Sequence, residues 1–144
     1  MPANAQGKLP GILVVHENRG LNPHIEDITR RIAVENYVAF APDALTPLGG
    51  YPGDEDKARE LFAKLDQAKT REDFLAALAF LETRPECNGK VGAVGFCWGG
   101  GMVNRLAAAG TALAAGVAYY GSQLPAAEVP TWLRDAPKAI TPST

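Results

Sequence analysis

Apolar runs that alternate with helical patterns constrain the fold of this 144-residue chain more than any other feature. The first run, Gly11-Ile12-Leu13-Val14-Val15, is continuously aliphatic, as in strands that a parallel sheet buries on both faces. Similar runs follow at residues 37–41, 90–96 and 114–120. This alternation predicts an α/β fold, in which a parallel sheet of about four strands carries helices on both faces.

Capping residues and helical periodicity place the helices between these runs. Asn22-Pro23 is typical of a helix cap followed by proline in the first turn, and Asn36 would end that helix. Thr70 is expected to cap a later helix that Pro85 ends, and residues 99–109 have helical composition. Between them, helical spacing predicts one more helix, which carries Ala58, Leu61, Phe62 and Leu65.

Composition and charge exclude several classes of function. Lys and Arg number 14 against 16 Asp and Glu, so no basic excess is available to bind nucleic acid or anionic lipid. The longest weakly apolar stretch, residues 106–120, is shorter than the roughly 20 residues of a membrane-spanning helix. The first residues lack the apolar core of a secretory signal, so we expect a cytoplasmic protein with no nucleic-acid or membrane partner. The oligomeric state cannot be predicted.

The third predicted strand runs directly into Gly95-Phe96-Cys97-Trp98-Gly99, which matches the nucleophile elbow G-x-S-x-G with cysteine in place of serine. Such a turn needs small residues two positions before and after the nucleophile, because strand and helix approach closely there. Gly95 and Gly99 meet this need. Cys97 would also lie at a helix N-terminus, where the helix dipole favours the thiolate. These features predict a nucleophilic cysteine.

A buried structural cysteine in a glycine-rich turn is the alternative reading of this motif. Nucleotide binding is less plausible, because the chain contains no phosphate-binding G-x-x-x-x-G-K-[ST] sequence. A disulfide with Cys87 is not expected, since the intervening strand would separate the two α-carbons by roughly 20 Å at about 3.3 Å per residue. Cys87 is expected in a loop at the opposite end of the sheet. Two cysteines are also too few for a four-cysteine zinc site, and we expect no metal or cofactor.

A second polar segment, His16-Glu17-Asn18-Arg19-Gly20-Leu21, follows the first predicted strand. It should lie at the carboxyl edge of the sheet, beside the elbow, where open parallel sheets bind ligands. In hydrolases with this elbow, a backbone N–H from such a loop and the N–H after the nucleophile form the oxyanion hole. Here these groups would be the N–H groups of Asn18 and Trp98.

Taken together with Ala41-Pro42-Asp43 and Tyr119-Tyr120-Gly121, these motifs resemble the dienelactone hydrolase (carboxymethylenebutenolidase) family of α/β-hydrolases. The resemblance covers about residues 9–125, whereas 126–144 is expected to be an irregular tail. It implies that Cys97 is the nucleophile, that Glu17 helps to activate it, and that the substrate is a small-molecule lactone or carboxylic ester. Neither His16, expected to be structural, nor His24 matches the catalytic histidine of the family.

The resemblance is incomplete where the family's catalytic acid and histidine are expected. Histidine is absent after Cys97, and the carboxylates that follow it are Glu128 and Asp135, neither after a recognisable strand. The resemblance therefore implies the central part of a hydrolase, truncated at both ends, with impaired turnover. Two alternatives remain open, namely a catalytically inactive fragment or interaction module, and a reactive-thiol protein.

Overall fold

A computed structural model describes residues 1–111 and 113–131 of the chain. The described residues form four strands and four α-helices, together with two short 3₁₀ turns at Thr46–Leu48 and Ala126–Glu128. In chain order, the strands and α-helices are β1 (Leu9–Val15), α1 (Pro23–Val34), β2 (Val38–Phe40), α2 (Glu55–Phe62), α3 (Gln67–Glu82), β3 (Cys87–Phe96), α4 (Trp98–Ala108) and β4 (Ala115–Tyr119).

The four strands form one sheet in the order β2-β1-β3-β4, and all three strand pairs are parallel. The helix α1 connects β1 to β2 at one edge of the sheet, and α4 connects β3 to β4 at the other edge. Because such crossovers are right-handed, α1 and α4 cover opposite faces of the sheet. The α/β fold predicted from the sequence is therefore confirmed.

The interior of the sheet is formed by β1 and β3, each of which has a neighbouring strand on both sides. Leu13, Val14 and Val15 are all fully buried, as the continuous aliphatic run predicts. Leu13 and Val15 belong to the main hydrophobic core, to which α3 and α4 contribute apolar side chains, among them Phe74, Leu78, Leu81, Met102, Val103 and Leu106. This core fixes β1, β3 and α4 relative to one another.

Besides the position of Leu65, which was expected on α2 but lies beyond its end at Phe62, two local predictions from the sequence were wrong. The helix α3 is capped by Asp66 rather than by Thr70, because an Asp66 carboxylate oxygen accepts bonds from two N–H groups, those of Ala68 (3.0 Å) and Lys69 (3.1 Å). Thr70 lies inside the first turn and donates its hydroxyl to the Asp66 carbonyl.

The second error concerns Cys87, which is the first residue of β3, pairs with Leu9 and is buried, rather than lying in a loop. A thiol behaves as a small apolar group, so the strand can continue to it. Both cysteines are free, as the length of β3 requires. No helix in the described part of the chain combines the length and apolar character needed to cross a membrane.

Candidate active site

The turn between β3 and α4 places Cys97 in an unusual backbone conformation. Its φ is 55° and its ψ is −117°, a backbone conformation that residues other than glycine rarely adopt. Its N–H donates to the Tyr119 carbonyl at 3.0 Å, and its carbonyl accepts from the Gly101 N–H at 3.2 Å. The bonds to β4 and to α4 hold the turn in place, at a strain cost of about 1–3 kcal/mol.

Close backbone approaches explain the glycines on either side of Cys97. A Cβ on Gly95 would lie 2.1 Å from the Gly99 carbonyl oxygen. A Cβ on Gly99 would lie 2.3 Å from the Val15 carbonyl oxygen and 2.5 Å from that of His16. These are backbone atoms that cannot move aside, so both positions require glycine. The spacing that identified the motif therefore corresponds to a real contact between β3, α4 and the end of β1.

The ends of three neighbouring strands bring Glu17, Cys97 and Tyr120 to one edge of the sheet. Val15 is in register with Gly95, and Phe96 is in register with Tyr119. Glu17 therefore follows β1 beside the turn that carries Cys97, and Tyr120 follows β4 on the other side. Parallel topology, rather than proximity in sequence, assembles this site.

Tyr120 interacts with Glu17 and Cys97, the two side chains that the family resemblance implied to be catalytic. Burial, the electrostatic effects of Glu17 and Cys97, and a hydrogen bond with the Glu17 side chain raise the pKa of Tyr120. Each of these effects favours the neutral phenol, which can donate to the Glu17 carboxylate. Tyr120 also has a positive φ of 39°. Its role was not predicted, although the motif Tyr119-Tyr120-Gly121 at the end of a strand could have indicated it.

Two backbone N–H groups beside this cluster have no acceptor within the part of the chain that the structure describes. They belong to Asn18, in the loop after β1, and to Trp98, the first residue of α4. The N–H groups at the start of a helix are unpaired within the helix, and the helix dipole adds positive potential there. Both N–H groups can therefore donate to a ligand oxygen.

His16 is adjacent to this site but is occupied by structural contacts. Its ring is fully buried, with Nδ1 2.6 Å from the Glu17 carbonyl and Nε2 accepting the Ala44 N–H at 2.9 Å. Burial lowers the pKa of His16, although the Glu17 carbonyl and the charge of Asp43 oppose this effect. A neutral ring with Nδ1 protonated fits both bonds, leaving neither nitrogen for catalysis. The sequence-based interpretation of His16 as structural agrees with this geometry.

The indole of Trp98 joins the elbow to the core. It stacks on His16 at 5.7 Å between ring centroids and meets the edges of Phe62 and Phe74. Its Nε1–H donates to the Gln67 side chain at 3.0 Å. These contacts fix the first residue of α4, and with it the N–H that lies beside Cys97.

Asp43 orders two loops that border the site, a role that the sequence reading did not assign. Its carboxylate accepts from the N–H groups of Leu45 at 2.9 Å, Tyr51 at 2.7 Å and Leu21 at 3.4 Å. The loop after β1 is thereby tied to the loop after β2. This role could have been suspected from the sequence, because Asp43 directly follows a predicted strand and precedes a long Pro- and Gly-rich loop.

A second carboxylate anchors the loop after β1 from the side of α2. Glu55 accepts from Arg19 at 2.7 Å and from the Asn22 side chain at 2.9 Å. Asn22 also caps α1, because its side-chain oxygen accepts the Ile25 N–H at 3.0 Å. The segment that holds Glu17 and Asn18 is therefore fixed at both of its ends.

The remaining titratable residues considered from the sequence lie away from this cluster. His24 is exposed in the first turn of α1. Glu128 lines a cavity of about 410 Å³ beside α3 and α4, together with the basic side chains of Arg71 and Arg105. Asp135 lies outside the described residues, as do positions 132–144 of the expected irregular tail. The cluster thus consists of Cys97, Glu17 and Tyr120.

Comparison with known proteins places this geometry in a family. The model of the family described as "Dienelactone hydrolase family" matches residues 1–141. The chain belongs to the dienelactone hydrolase family. This confirms the family resemblance drawn from the motifs and establishes the chain as a member of a hydrolase family.

The curated relatives of this dienelactone hydrolase family member are matched over only part of their own length. A protein of Methylorubrum extorquens named "Putative carboxymethylenebutenolidase" is 38% identical over 125 residues, which cover 84% of this chain and 43% of that protein. An Escherichia coli protein named "Putative hydrolase fragment YghX" is 58% identical over 65 residues, covering 45% of this chain and 56% of that protein. The chain thus spans about half the length of the curated relatives it matches.

Solved structures of the family share the same fold. A Klebsiella pneumoniae protein whose structure is described as that of a "Putative Dienelactone Hydrolase" superposes with a TM-score of 0.74 at 32% identity, covering 90% of this chain and 56% of that chain. The dienelactone hydrolase-like promiscuous phosphotriesterase P91, from metagenomic libraries, superposes with a TM-score of 0.70 at 33% identity, covering 88% and 54%. The backbone of this dienelactone hydrolase family member therefore has the same α/β-hydrolase core as these solved structures.

Proposed function

We propose that this dienelactone hydrolase family member acts on a carboxylic ester or lactone through Cys97, and that a thioester acyl-enzyme is formed. The observation that carries the proposal is the strained turn that holds Cys97 at the N-terminus of α4, at the same edge of the sheet as Glu17 and the N–H groups of Asn18 and Trp98. This arrangement is what acyl transfer requires, since it combines a nucleophile, a proton acceptor and donors for a developing oxyanion.

The first half of the reaction uses groups that the described residues supply. Glu17 accepts the thiol proton of Cys97, and the thiolate sulfur attacks the carbonyl carbon, while the carbonyl oxygen is held by the N–H groups of Asn18 and Trp98. The tetrahedral intermediate collapses, the C–O bond to the alcohol breaks, and the alkoxide leaves with the proton. The product is a thioester on Cys97 and a free alcohol, or a hydroxyacyl thioester in the case of a lactone.

The second half, hydrolysis of the thioester, needs a base that activates water. Both nitrogens of His16 are engaged in structural bonds, and the sequence contains no histidine after Cys97. Loss of members of a catalytic triad costs hydrolases several powers of ten in rate. We therefore propose that this chain is acylated faster than it is deacylated and that its turnover is impaired.

Burst kinetics with p-nitrophenyl acetate test this proposal. We expect release of p-nitrophenol at one equivalent per chain, followed by a much slower steady state, because the acyl-enzyme accumulates. Cys97→Ala removes the burst, and Glu17→Gln slows it, because the thiol then loses its proton acceptor. The matched control is Cys87→Ala, which removes a buried thiol at the far end of β3 and leaves the burst intact.

Three outcomes would contradict the proposal. Rapid multiple turnovers that disappear in Cys97→Ala would show that a base acts within this chain, so that turnover is not impaired. A steady release that persists unchanged in Cys97→Ala would show that Cys97 is not the nucleophile. Selective, reversible oxidation of Cys97 without acylation by the ester would favour a reactive-thiol protein instead.

A further inference from the structure

His16 contacts both of the backbone segments that carry the N–H donors of the proposed oxyanion hole. Its side chain is fully buried, and its Nδ1 lies 2.6 Å from the Glu17 carbonyl oxygen. Its ring stacks on the indole of Trp98, with 5.7 Å between the ring centroids and 20° between the ring planes. Its own carbonyl faces α4, since a Cβ on Gly99 would lie 2.5 Å from that oxygen. His16 therefore lies between the loop after β1 and the start of α4.

The two ring nitrogens of His16 have fixed and opposite roles. A carbonyl oxygen can only accept a hydrogen bond, so Nδ1 must carry the proton that is donated to Glu17. The Ala44 N–H can only donate, so Nε2, 2.9 Å away, must be the acceptor. The other tautomer would set a proton against the Ala44 N–H and a lone pair against the Glu17 oxygen. The backbone on both sides therefore selects a single tautomer of the ring.

The hydrogen bond from Nδ1 determines the direction of the Asn18 N–H. The Glu17 carbonyl and the Asn18 N–H belong to one peptide group, which is planar and trans. The C=O and N–H of a trans peptide point in opposite directions, so a carbonyl that faces the buried ring turns the N–H away from it. Among the residues that the structure describes, no other hydrogen bond reaches this peptide group. The orientation of the Asn18 N–H therefore depends on His16.

We propose that His16 is a positioning residue of the oxyanion hole, whose Nδ1–H holds the Asn18 N–H toward the substrate oxygen while its ring fixes Trp98, the residue with the second N–H. This role rests on the proposed function, because an oxyanion hole acts only if Cys97 attacks a carbonyl. His16 touches no reacting atom and acts only through the backbone. Loss of one donor from an oxyanion hole costs about 10²–10³ in kcat, so a misdirected N–H should slow acylation strongly.

Two reactions of the same thiolate separate positioning from a merely structural role, which would affect both reactions alike. Acylation of Cys97 by p-nitrophenyl acetate passes through a tetrahedral intermediate whose oxygen carries a negative charge. In alkylation by iodoacetamide, the sulfur forms a bond to the methylene carbon and iodide leaves, so no oxyanion develops. The ratio of the acylation rate to the alkylation rate at Cys97 therefore reports on the oxyanion hole.

The variants His16→Asn and His16→Leu form a matched pair for this measurement. Their side chains have nearly the same size and branching, and both lack the ring and the Nε2 acceptor of the Ala44 N–H. Only asparagine keeps an N–H donor attached to Cγ, where histidine carries Nδ1. Both rates are followed on the 144-residue chain by mass spectrometry of the peptide that contains Cys97. His16→Leu should lower the ratio by at least about tenfold, whereas His16→Asn should keep it close to that of the unsubstituted chain.

The nitrogen chemical shifts of the His16 ring provide a second measurement, which needs no variant to fold. In the unsubstituted chain at neutral pH, nuclear magnetic resonance should show Nδ1 protonated and Nε2 unprotonated. A proton on Nε2 would overturn the positioning role, because Nδ1 could not then donate to Glu17.

The kinetic results separate this role from the proposed function itself. Equal losses of acylation and alkylation in His16→Leu, or the same ratio in His16→Leu and His16→Asn, would overturn the positioning role. A burst in the unsubstituted chain together with an unchanged ratio in His16→Leu would overturn that role alone. No burst in the unsubstituted chain would overturn the proposed function, and the positioning role with it.

Discussion

Substitution of Gly95 by alanine tests the close approach of β3 and α4 that forms the elbow. The added Cβ would lie 2.1 Å from the carbonyl oxygen and 2.3 Å from the carbonyl carbon of Gly99. Ordinary contacts between such atoms are about 3.5–4.0 Å, so the strand and the helix must separate by more than about 1 Å. Overpacking of this kind costs about 1–3 kcal/mol where side chains can adjust. Because both opposing atoms belong to the backbone, we expect Gly95→Ala to lower the free energy of unfolding by about 3 kcal/mol or more.

This loss is large compared with the roughly 5–15 kcal/mol that stabilises a typical domain. In urea denaturation followed by circular dichroism, the midpoint of Gly95→Ala should fall by more than about 1 M, for a slope of about 1–3 kcal/mol per molar. The rate at which Cys97 reacts with a thiol reagent should also change, because the turn moves with the helix.

The matched control lies on the same strand. A Cβ on Gly92 would approach the Ala115 carbonyl oxygen and the Ile12 side chain at 3.3 Å, so only a small adjustment is needed. Gly92→Ala should therefore cost less than about 1 kcal/mol. If Gly95→Ala were as stable as Gly92→Ala, the close contact between Gly95 and Gly99 would be refuted, and with it the reason for the spacing of the motif.

Three further predictions concern backbone strain, pH and loop order. Cys97→Gly should be about 1 kcal/mol more stable than Cys97→Ala in urea denaturation, because glycine relieves the positive φ while both variants lack the thiol. The free energy of unfolding should decrease as the pH falls through about 6.5, because the pKa of buried His16 is lowered in the folded state. Asp43→Ala should cost about 3 kcal/mol in the same assay, because three N–H groups lose their acceptor.

The sign of the pH effect follows from which state binds the proton first. Below its ordinary pKa of about 6.5, His16 is protonated in the unfolded chain but remains neutral in the folded protein, so acid favours unfolding. The slope reaches at most about 1.4 kcal/mol per pH unit and ends at the folded-state pKa. His16→Gln should flatten this slope between about pH 7.5 and pH 5.5, whereas His24→Gln, at an exposed position, should retain it.

The controls for the other two predictions are equally specific. Equal stability of Cys97→Gly and Cys97→Ala would show that the turn is not strained. For Asp43, the matched variant is Asp73→Ala, which removes an exposed carboxylate of α3 that bonds to Lys69. Surface pairs of this kind contribute little, so a comparable loss in Asp73→Ala would contradict a special role for Asp43.

The sequence was sufficient to predict the elements whose signals are local. Continuous aliphatic runs gave β1 and β3, and the Asn22-Pro23 cap placed α1, because burial and capping depend on neighbouring residues. The elbow was recognisable because glycine is required at both of its flanking positions. The cap of α3 was predicted wrongly because Asp and Thr both cap helices, and the local sequence does not distinguish Asp66 from Thr70.

The parts of the site that the sequence did not predict depend on contacts between distant segments. Tyr120 reaches Glu17 only because β4 is placed beside β3 and β3 beside β1. The bonds of Asp43 to Leu21 and Tyr51 likewise join loops that follow different strands. No local pattern around Tyr120 or Asp43 indicates these partners. The sequence shows that both are polar residues at the end of a strand, but their contacts depend on the tertiary structure.

The most direct test of the proposed function is the location of the acyl group. The chain is incubated with p-nitrophenyl acetate, quenched in acid and analysed by intact mass spectrometry and peptide mapping. We predict a single acetyl group on the peptide that contains Cys97, no acetylated Cys97→Ala chain, and an adduct that outlives the burst because hydrolysis of the thioester is slow. An acetyl group on another residue, or continued ester cleavage by the Cys97→Ala chain, would contradict the central claim that Cys97 is the nucleophile.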